Sequence, residues 1–264
     1  MSAPRLNLYD LTREQLRVQL VRWELNPVHV ARLWNYLYIE LAASLDAMPE
    51  LPPKLRARLA AETQLGVLPT ALETASSDGF THKYLLALND AEKIETVLMR
   101  FTGRVTACVS SQVGCAMGCD FCATAQSGFE RNLTSGEIVE QFIRLRREAH
   151  SSGRTLRTIV FMGMGEPMLN LRNVLAAVRR MADPALGALG WRQITISTVG
   201  IVPGIEELRK AGLGVNLAIS LHAPDDATRA DLLPMGKRFD VQDVLAAVDR
   251  YQASSGRITT IQYC

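Results

Sequence analysis

The chain has 264 residues, of which 48% are hydrophobic and 21% are charged, and its formal net charge is +2. This length suits one large α/β unit with a small accessory domain, and the apolar fraction is sufficient for a buried core. The sequence contains no apolar run of 18 residues and no signal-peptide pattern at its start, which argues against a membrane protein. So small a net charge does not by itself indicate nucleic-acid binding. We therefore expect a soluble, cytoplasmic protein.

The first quarter of the chain is predicted to be helical. Apolar residues recur at three- and four-residue spacing between residues 11 and 65, and prolines interrupt this pattern. Aromatic residues in this region could stack on bases, but at helical spacing they are more often core, and we interpret them as core. These residues are Trp23, Trp34, Tyr36 and Tyr38. We expect a helical accessory domain over residues 1–75.

A turn at Ser76–Gly79 is followed by two strand-like runs. The runs Tyr84–Leu88 and Lys93–Met99 flank Asn89-Asp90, a pair typical of tight turns. This pattern predicts a β-hairpin, which we place in a linker over residues 76–103.

Strand-like and helical runs alternate from residue 104 onward, a pattern typical of βα units with parallel strands. Strands are predicted at 105–110, 157–162, 192–197, 214–220 and 257–263, and helices at 134–150, 170–182, 204–211 and 240–253. The first helix has a clear start, because Thr134–Glu137 is a capping box. Its Arg144, Arg146 and Arg147 could contact phosphates, but such a run is more often a solvated helix face. The predicted fold class is α/β, with the core over residues 104–264.

The loop after the first of these strands is the most informative segment. Cys115, Cys119 and Cys122 form a CxxxCxxC run, and three thiolates in so short a loop can ligate one inorganic centre. Three ligands on a four-iron cluster leave one iron open, whereas ferredoxin sites cap every iron and structural zinc favours two ligand pairs. The alternative is a chance group of buried thiols, which the neighbouring glycine and aspartate disfavour. The five unevenly placed cysteines also argue against disulfides and for a reducing compartment.

Polar residues also stand where the next three strands end, and the carboxyl ends of parallel strands meet at one edge of a sheet. Gly165 permits close backbone approach, and the Glu166 carboxylate can accept hydrogen bonds from an ammonium or a ribose hydroxyl. Ser197 closes the third strand, and Ser220–His222 closes the fourth. Each motif is weak alone, because such residues often form turns or satisfy backbone groups. Together with the cysteine loop they predict an enzyme pocket.

Over nearly its whole length the chain resembles the RlmN/Cfr family of radical S-adenosylmethionine (SAM) RNA methyltransferases. The resemblance rests on four segments, Cys108–Cys115, Phe121–Leu133, Met162–Asn170 and Ile219–Pro224. It implies a partial (β/α) barrel of the radical SAM type. It further implies a [4Fe-4S] cluster on the three loop cysteines, whose open iron is chelated by SAM before reductive cleavage to a 5′-deoxyadenosyl radical.

The resemblance also implies roles for individual residues. The SAM contacts are expected at Gly165, Glu166, Ser197, Ser220, Leu221 and His222. Cys108 is expected to act on the RNA adduct and help release the product, and Glu95 is expected to be the proton acceptor. From the residues alone, Cys108 is interpreted as part of a core strand and Glu95 as the exposed face of an edge strand.

The activity that the resemblance implies is methylation of C2 of adenosine in 23S rRNA and tRNA through a methyl-cysteine intermediate. Because C2 is electrophilic, methyl transfer from SAM has no nucleophile to meet, and a cofactor must supply the difficult step. The implied partners are these RNAs, bound in part by the helical domain, and a reductant such as flavodoxin, with the protein itself a monomer. The alternatives are C8 methylation of adenosine in 23S rRNA, as in Cfr-like enzymes, and a non-catalytic product that binds the cluster, SAM or RNA.

This chain differs from the family pattern near the C-terminal end of the chain. In the family a sixth βα unit and a tail follow, and the tail carries the cysteine that receives the methyl group. Here the last residue is Cys264, directly after the fifth predicted strand. We expect the core to be incomplete at this end and Cys264 not to act as the carrier, because terminal residues are poorly positioned.

Overall fold

The computed structural model describes residues 5–66, 68–186 and 189–263. Its strands are β1 (Leu6–Asn7), β2 (Thr63–Gln64), β3 (Thr70–Ala75), β4 (Thr81–Ala87), β5 (Lys93–Phe101), β6 (Arg104–Cys108), β7 (Gln112–Gly114), β8 (Phe129–Asn132), β9 (Leu156–Phe161), β10 (Ile194–Thr198), β11 (Asn216–Ser220) and β12 (Thr260–Gln262). Its α-helices are α1 (Arg13–Arg22), α2 (His29–Tyr38), α3 (Pro53–Glu62), α4 (Ala123–Gln126), α5 (Ser135–Ser151), α6 (Leu171–Met181), α7 (Val202–Lys210), α8 (Asp226–Leu232) and α9 (Val241–Ser255).

The centre of the fold is an eight-stranded mixed sheet in the order β12-β11-β10-β9-β6-β5-β4-β3. The strands from β6 to β12 in this sheet run parallel, with α5, α6, α7 and α9 in the connections between them. Every predicted strand and helix of this region is present, and their ends differ from the prediction by at most three residues. The α/β core predicted from the alternating pattern is therefore confirmed. The short β7–β8 pair, α4 and α8 were not predicted.

The predicted hairpin is part of the main sheet. Strands β3, β4 and β5 form an antiparallel meander, and β5 continues the sheet by pairing antiparallel with β6. Because β5 has a partner on each side, the interpretation of Glu95 as a residue of an edge strand is wrong. Among the described strands, β3 and β12 are the edges of this sheet. The division of the chain into three domains stays a prediction.

The N-terminal helices form as the sequence predicts. Helix α1 begins at a capping box in which Thr12 and Gln15 exchange side-chain and backbone hydrogen bonds, and Pro53 opens α3, where it costs no hydrogen bond. The aromatic residues of this region are buried, which confirms their interpretation as core. They are Trp23, Trp34, Tyr36 and Tyr38.

Helix α5 joins these N-terminal helices to the sheet. Its capping box at Thr134 and Glu137 is present as predicted. The Arg146 guanidinium donates to the Tyr38 carbonyl oxygen at 2.6 Å, and that of Arg147 donates to the Leu41 carbonyl oxygen at 2.8 Å. The interpretation of these arginines as a solvated helix face is therefore wrong, because they satisfy the backbone carbonyls at the end of α2. None of the described helices has the length and apolar character needed to cross a membrane.

A buried carboxylate lies where α5 meets the first strand. Glu140 is 4% exposed and accepts a hydrogen bond from the Asn7 amide. Its carboxylate lies against Gly66, so close that a Cβ atom added to this glycine would overlap it. Burial raises the pKa of Glu140 to about 8. The ordinary pKa of this group is 4.5, so the folded state binds the proton more tightly than the unfolded chain does. The free energy of unfolding therefore falls as pH rises from about 4.5 to about 8.

We expect Glu140→Gln to remove this part of the pH dependence, since glutamine keeps the shape of the side chain and the acceptor for Asn7 without a charge. At pH 9 the variant should be more stable than the wild type by about 2 kcal/mol or more, whereas at pH 5 the two should be similar. Urea unfolding at both pH values measures this difference. The matched control is Glu207→Gln on the exposed side of α7. Identical pH dependence in the wild type and Glu140→Gln would contradict the prediction.

Candidate functional site

The cysteine loop leaves the carboxyl end of β6 and runs through β7 before it reaches α4. Cys115 and Cys119 are buried, Cys122 is half-buried, and all three are free thiols. A tight turn holds the last two together, with the Cys122 N–H donating to the Cys119 carbonyl oxygen at 3.1 Å. The loop thus places three sulfur ligands at the edge of the sheet where the parallel strands end.

The loop cysteines line a cavity of about 440 Å³ at this edge. The other walls come from the residues that follow β9, β10, β11 and β12. The predicted site residues that line it are Cys115, Cys119, Cys122, Gly165, Glu166, Ser197, Ser220 and His222. The expectation that these separate strand ends converge on one pocket is therefore realised in the structure.

The chemistry of the donor set suits an iron–sulfur cluster. Burial raises the pKa of Cys119 to about 11, with Cys115 and Cys122 adding to the effect, and burial also raises the pKa of Cys115. Such thiols become thiolates only beside strong positive charge, which bound iron supplies. Among the described residues, no group of three His, Cys, Asp or Glu side chains closes around a single metal ion. Three thiols on one loop can each bind a different iron of a cluster.

Glu166 uses its carboxylate to join two loops. The side chain is 2% exposed; one oxygen accepts from the Met168 N–H at 3.0 Å and the other from the Val199 N–H at 2.9 Å. Burial raises its pKa to about 6, and these hydrogen bonds oppose that shift. The carboxylate thus holds the loops after β9 and β10 together beside the cavity. The expectation that it also accepts hydrogen bonds from an ammonium or a ribose hydroxyl stays a prediction, since a carboxylate has further acceptor sites.

Gln112 is a site residue that the sequence reasoning missed. Its amide oxygen accepts from the Glu166 N–H at 2.8 Å, and its amide nitrogen donates to the Asn132 Oδ1 at 2.8 Å. Gly165 has a φ of +99°, and a Cβ built on it would lie 2.5 Å from the Gln112 Cβ. Gln112 thus ties the cysteine loop to the loop after β9. A lone glutamine carries no signal of this role in the sequence.

The fifth parallel strand contributes a second missed residue. The hydroxyl groups of Ser197 and Ser220 each donate to the Gln262 Oε1 at 3.0 Å, so one amide orients both. Gln262 stands at a strand end, as Ser197 does, and the same argument from strand ends could have found it.

His222 presents an unsatisfied polar atom beside the cavity. Its φ is +60°, a left-handed conformation that is uncommon outside glycine. Its Nδ1 is buried and has no hydrogen-bond partner among the residues that the structure describes. The ring lies 4.9 Å from the Phe121 ring in an edge-on arrangement, and burial lowers the histidine pKa. A buried ring nitrogen without a protein partner fits a site that receives a polar ligand.

The remaining predicted residues lie outside the cavity wall. Leu221 is buried and its N–H is satisfied by backbone carbonyls. Cys108 pairs with Val97 across β6 and β5, so Cys108 and Glu95 share one face of the sheet. Cys108 is buried, which raises its pKa to about 11, and Glu95 is paired with Lys83 at 2.8 Å. Cys264 lies outside the described residues.

A cysteine loop of this spacing at the carboxyl edge of parallel βα units defines the radical SAM class of enzymes. Residues 109–263 match the model of the radical SAM superfamily. The crystal structure of a radical SAM methyltransferase from Sphaerobacter thermophilus has a TM-score of 0.94 and 42% identity, covering 98% of this chain and 76% of that one.

Two bacterial relatives identify the family within this class. A probable dual-specificity RNA methyltransferase RlmN 1 of Opitutus terrae is 56% identical over 98% of this chain and 74% of its own length. The dual-specificity RNA methyltransferase RlmN 1 of Myxococcus xanthus is 49% identical over 95% of this chain and 70% of its own length. The chain belongs to the RlmN family of radical SAM methyltransferases.

Gln112→Ala should destabilise the protein by about 1–3 kcal/mol, because it leaves the buried Glu166 N–H and the Asn132 side chain without their partner. Urea unfolding of the iron-free chain measures the loss. The control is Gln126→Ala in the neighbouring helix α4, where the side chain is exposed and the expected change is within about 0.5 kcal/mol. Equal effects of the two substitutions would argue against the linking role of Gln112.

Proposed function

We propose that this chain forms the cluster- and SAM-binding part of an RNA methyltransferase that methylates C2 of adenosine in 23S rRNA and tRNA. The proposal rests on one observation, the convergence of the three loop cysteines with the strand-end residues on a single cavity. Membership of the RlmN family supports C2 rather than C8 as the methylated carbon. Bound together, a [4Fe-4S] cluster and SAM supply the carbon-radical chemistry that an electrophilic ring carbon requires.

The three cysteines hold the cluster in this proposal. Cys115, Cys119 and Cys122 bind as thiolates, and three ligands leave one iron for SAM. Gly118, with a φ of +66°, permits the turn between the first two ligands. Burial of Cys115 and Cys119 would keep water away from the iron atoms that these two residues hold.

The strand ends hold SAM. Gly165 allows close approach of the backbone, and the Glu166 carboxylate fixes the shape of this loop from behind. Ser197 and Ser220 offer hydroxyl oxygens that Gln262 orients. His222 and the backbone at Leu221 complete the contacts, with the free Nδ1 available to a polar group of SAM.

Cys108 and Glu95 act on the RNA rather than on SAM. Their side chains lie on the same face of the adjacent strands β5 and β6. This arrangement suits two residues that act one after the other on the same adenine base. Glu95 accepts the proton from the adenine adduct, and its ion pair with Lys83 orients the carboxylate. Cys108 then assists product release. These roles follow the family positions of the two residues.

The proposed enzyme has three regions and takes its electrons from a separate protein. Residues 1–75 form a helical accessory domain that binds RNA, residues 76–103 the connecting strands, and residues 104–264 the radical SAM core. Electrons come from a reductant such as flavodoxin, and the protein acts as a monomer in the cytoplasm, where its RNA substrates are.

Anaerobic reconstitution with iron and sulfide tests the function directly. The wild type should bind about four irons per chain and convert SAM to 5′-deoxyadenosine when reduced. Cys119→Ala should lose the cluster, because two thiolates do not hold it, whereas Cys108→Ala should keep full iron content. Iron analysis and chromatography of the SAM products measure both. Full iron content in Cys119→Ala, or no SAM cleavage by the wild type, would overturn the proposal.

Gly165→Ala should raise the Kd for SAM at least about tenfold, because the added Cβ has both an unfavourable φ and a clash with Gln112. Equilibrium dialysis with the reconstituted protein measures this affinity. Gly212→Ala is the matched control, since Gly212 has a φ of +66° with nothing within 4 Å of a Cβ. The Gly212→Ala variant has the same kind of backbone strain, but at a position away from the cavity. A similar Kd for the two variants would argue against contact at Gly165.

A further inference from the structure

A second concave site lies at the opposite end of the sheet from the cysteine loop. It is a groove of about 570 Å³ at the turns that connect β3 to β4 and β5 to β6 and at the segment that leads into β9. We call it the arginine groove and define it by Phe80, Phe101, Arg104, Arg154 and Arg157. Strand β5 has nine residues, which at about 3.4 Å each separate the two ends of the sheet by roughly 30 Å. The groove is thus distinct from the candidate active site.

The groove is strongly basic. Its three arginines are exposed, and none has an ion-pair partner within the part of the chain that the structure describes. No aspartate or glutamate is found among its described lining residues. The nearby Glu148 is paired with Arg100 outside the groove, and Asp78 accepts hydrogen bonds within its own turn. The three guanidinium groups therefore produce a local positive potential on a chain whose formal net charge is only +2.

Two exposed aromatic rings accompany these charges. Phe80 is 52% exposed and Phe101 is 47% exposed, at the tips of turns that are joined by the hydrogen bond from the Arg100 N–H to the Phe80 carbonyl oxygen. The Arg104 guanidinium lies 5.2 Å from the centre of the Phe101 ring. Rings at such positions add nothing to the core. An aromatic ring beside a guanidinium is the arrangement on which unpaired nucleic-acid bases stack.

We propose that the arginine groove binds the substrate RNA at a point remote from the target adenosine, with the arginines on backbone phosphates and a base stacked on Phe101. Exposed arginines beside exposed phenylalanine rings favour RNA over an acidic protein as the ligand. The carboxylates of a protein would pair with the arginines but leave the phenylalanine rings exposed to water. This inference rests on the proposed function, because it takes the substrate to be RNA. A folded RNA with its target adenosine in the cavity is large enough to reach the other end of the sheet. Contact there orients the RNA without taking part in the chemistry.

The test measures the affinity of the reconstituted full chain for a fluorescein-labelled, unmodified tRNA transcript over a range of KCl concentrations. Arg154→Gln/Arg157→Gln should weaken binding about tenfold or more at low salt and reduce the slope of log Kd against log salt by about two. Arg172→Gln/Arg179→Gln removes the same charge from the exposed face of α6 and should leave both values nearly unchanged. Phe101→Leu should weaken binding about tenfold with no change in slope, because it removes stacking but not charge.

Three results would overturn the groove as an RNA site. These are equal salt slopes in the groove and control variants, no RNA binding by the wild type, and competition by polyglutamate as effective as that by unlabelled tRNA. Iron content and SAM cleavage are measured on the same preparations. Their loss in the wild type would refute the proposed function, whereas normal values with an unchanged slope would refute the groove proposal alone. Circular dichroism melts of each variant confirm that the comparison is between folded proteins.

Discussion

The convergence of the strand-end loops depends on a buried carboxylate. Glu166 is almost inaccessible to water, and a charge in that position is tolerated only because backbone N–H groups on two different loops donate to it. The Glu166 N–H is in turn held by Gln112, whose other end reaches Asn132 on β8. One side chain from the cysteine loop and one from the β9 loop therefore fix the positions of three loops. Further hydrogen bonds join the cysteine loop to the loop after β9, among them those from the Ser111 N–H to the Met164 carbonyl oxygen at 2.8 Å and from the Asn170 amide to the Ser111 carbonyl oxygen at 2.7 Å.

The N-terminal helices are tied to the same region through α5. The Asp10 carboxylate accepts from the Gly136 N–H at 2.6 Å, close to the capping box of α5, and so satisfies a backbone donor at the start of the helix. Arg146 and Arg147 perform the reciprocal task for the end of α2. Each contact satisfies backbone groups that a helix end leaves open. Helix α5 is thereby held near both of its ends by the N-terminal region.

The two ends of the sheet differ in chemistry. At the carboxyl end, thiols, hydroxyls and a free imidazole nitrogen line a cavity suited to a metal cluster and a small cofactor. At the other end, exposed arginines and phenylalanines line an open groove suited to a polyanion with flat bases. An enzyme that modifies one base of a large RNA needs both kinds of surface, because the reacting base alone offers little area for binding.

The sequence alone determined the order of the parallel strands and of the helices that connect them, and it located the cysteine loop at the edge of the sheet where those strands end, because periodicity and residue spacing are local properties of the chain. It could not predict Gln112 as the residue that holds the Glu166 N–H, since a lone glutamine has no distinctive pattern and its partners are distant in the chain. The strand-end argument could have located Gln262, but not its hydrogen bonds to Ser197 and Ser220. Nor could it show that Glu95 lies on an inner strand, or that Arg146 and Arg147 face backbone carbonyls. Only the tertiary structure decided these points, because pairing across the sheet and hydrogen bonds between loops depend on which segments become neighbours in space.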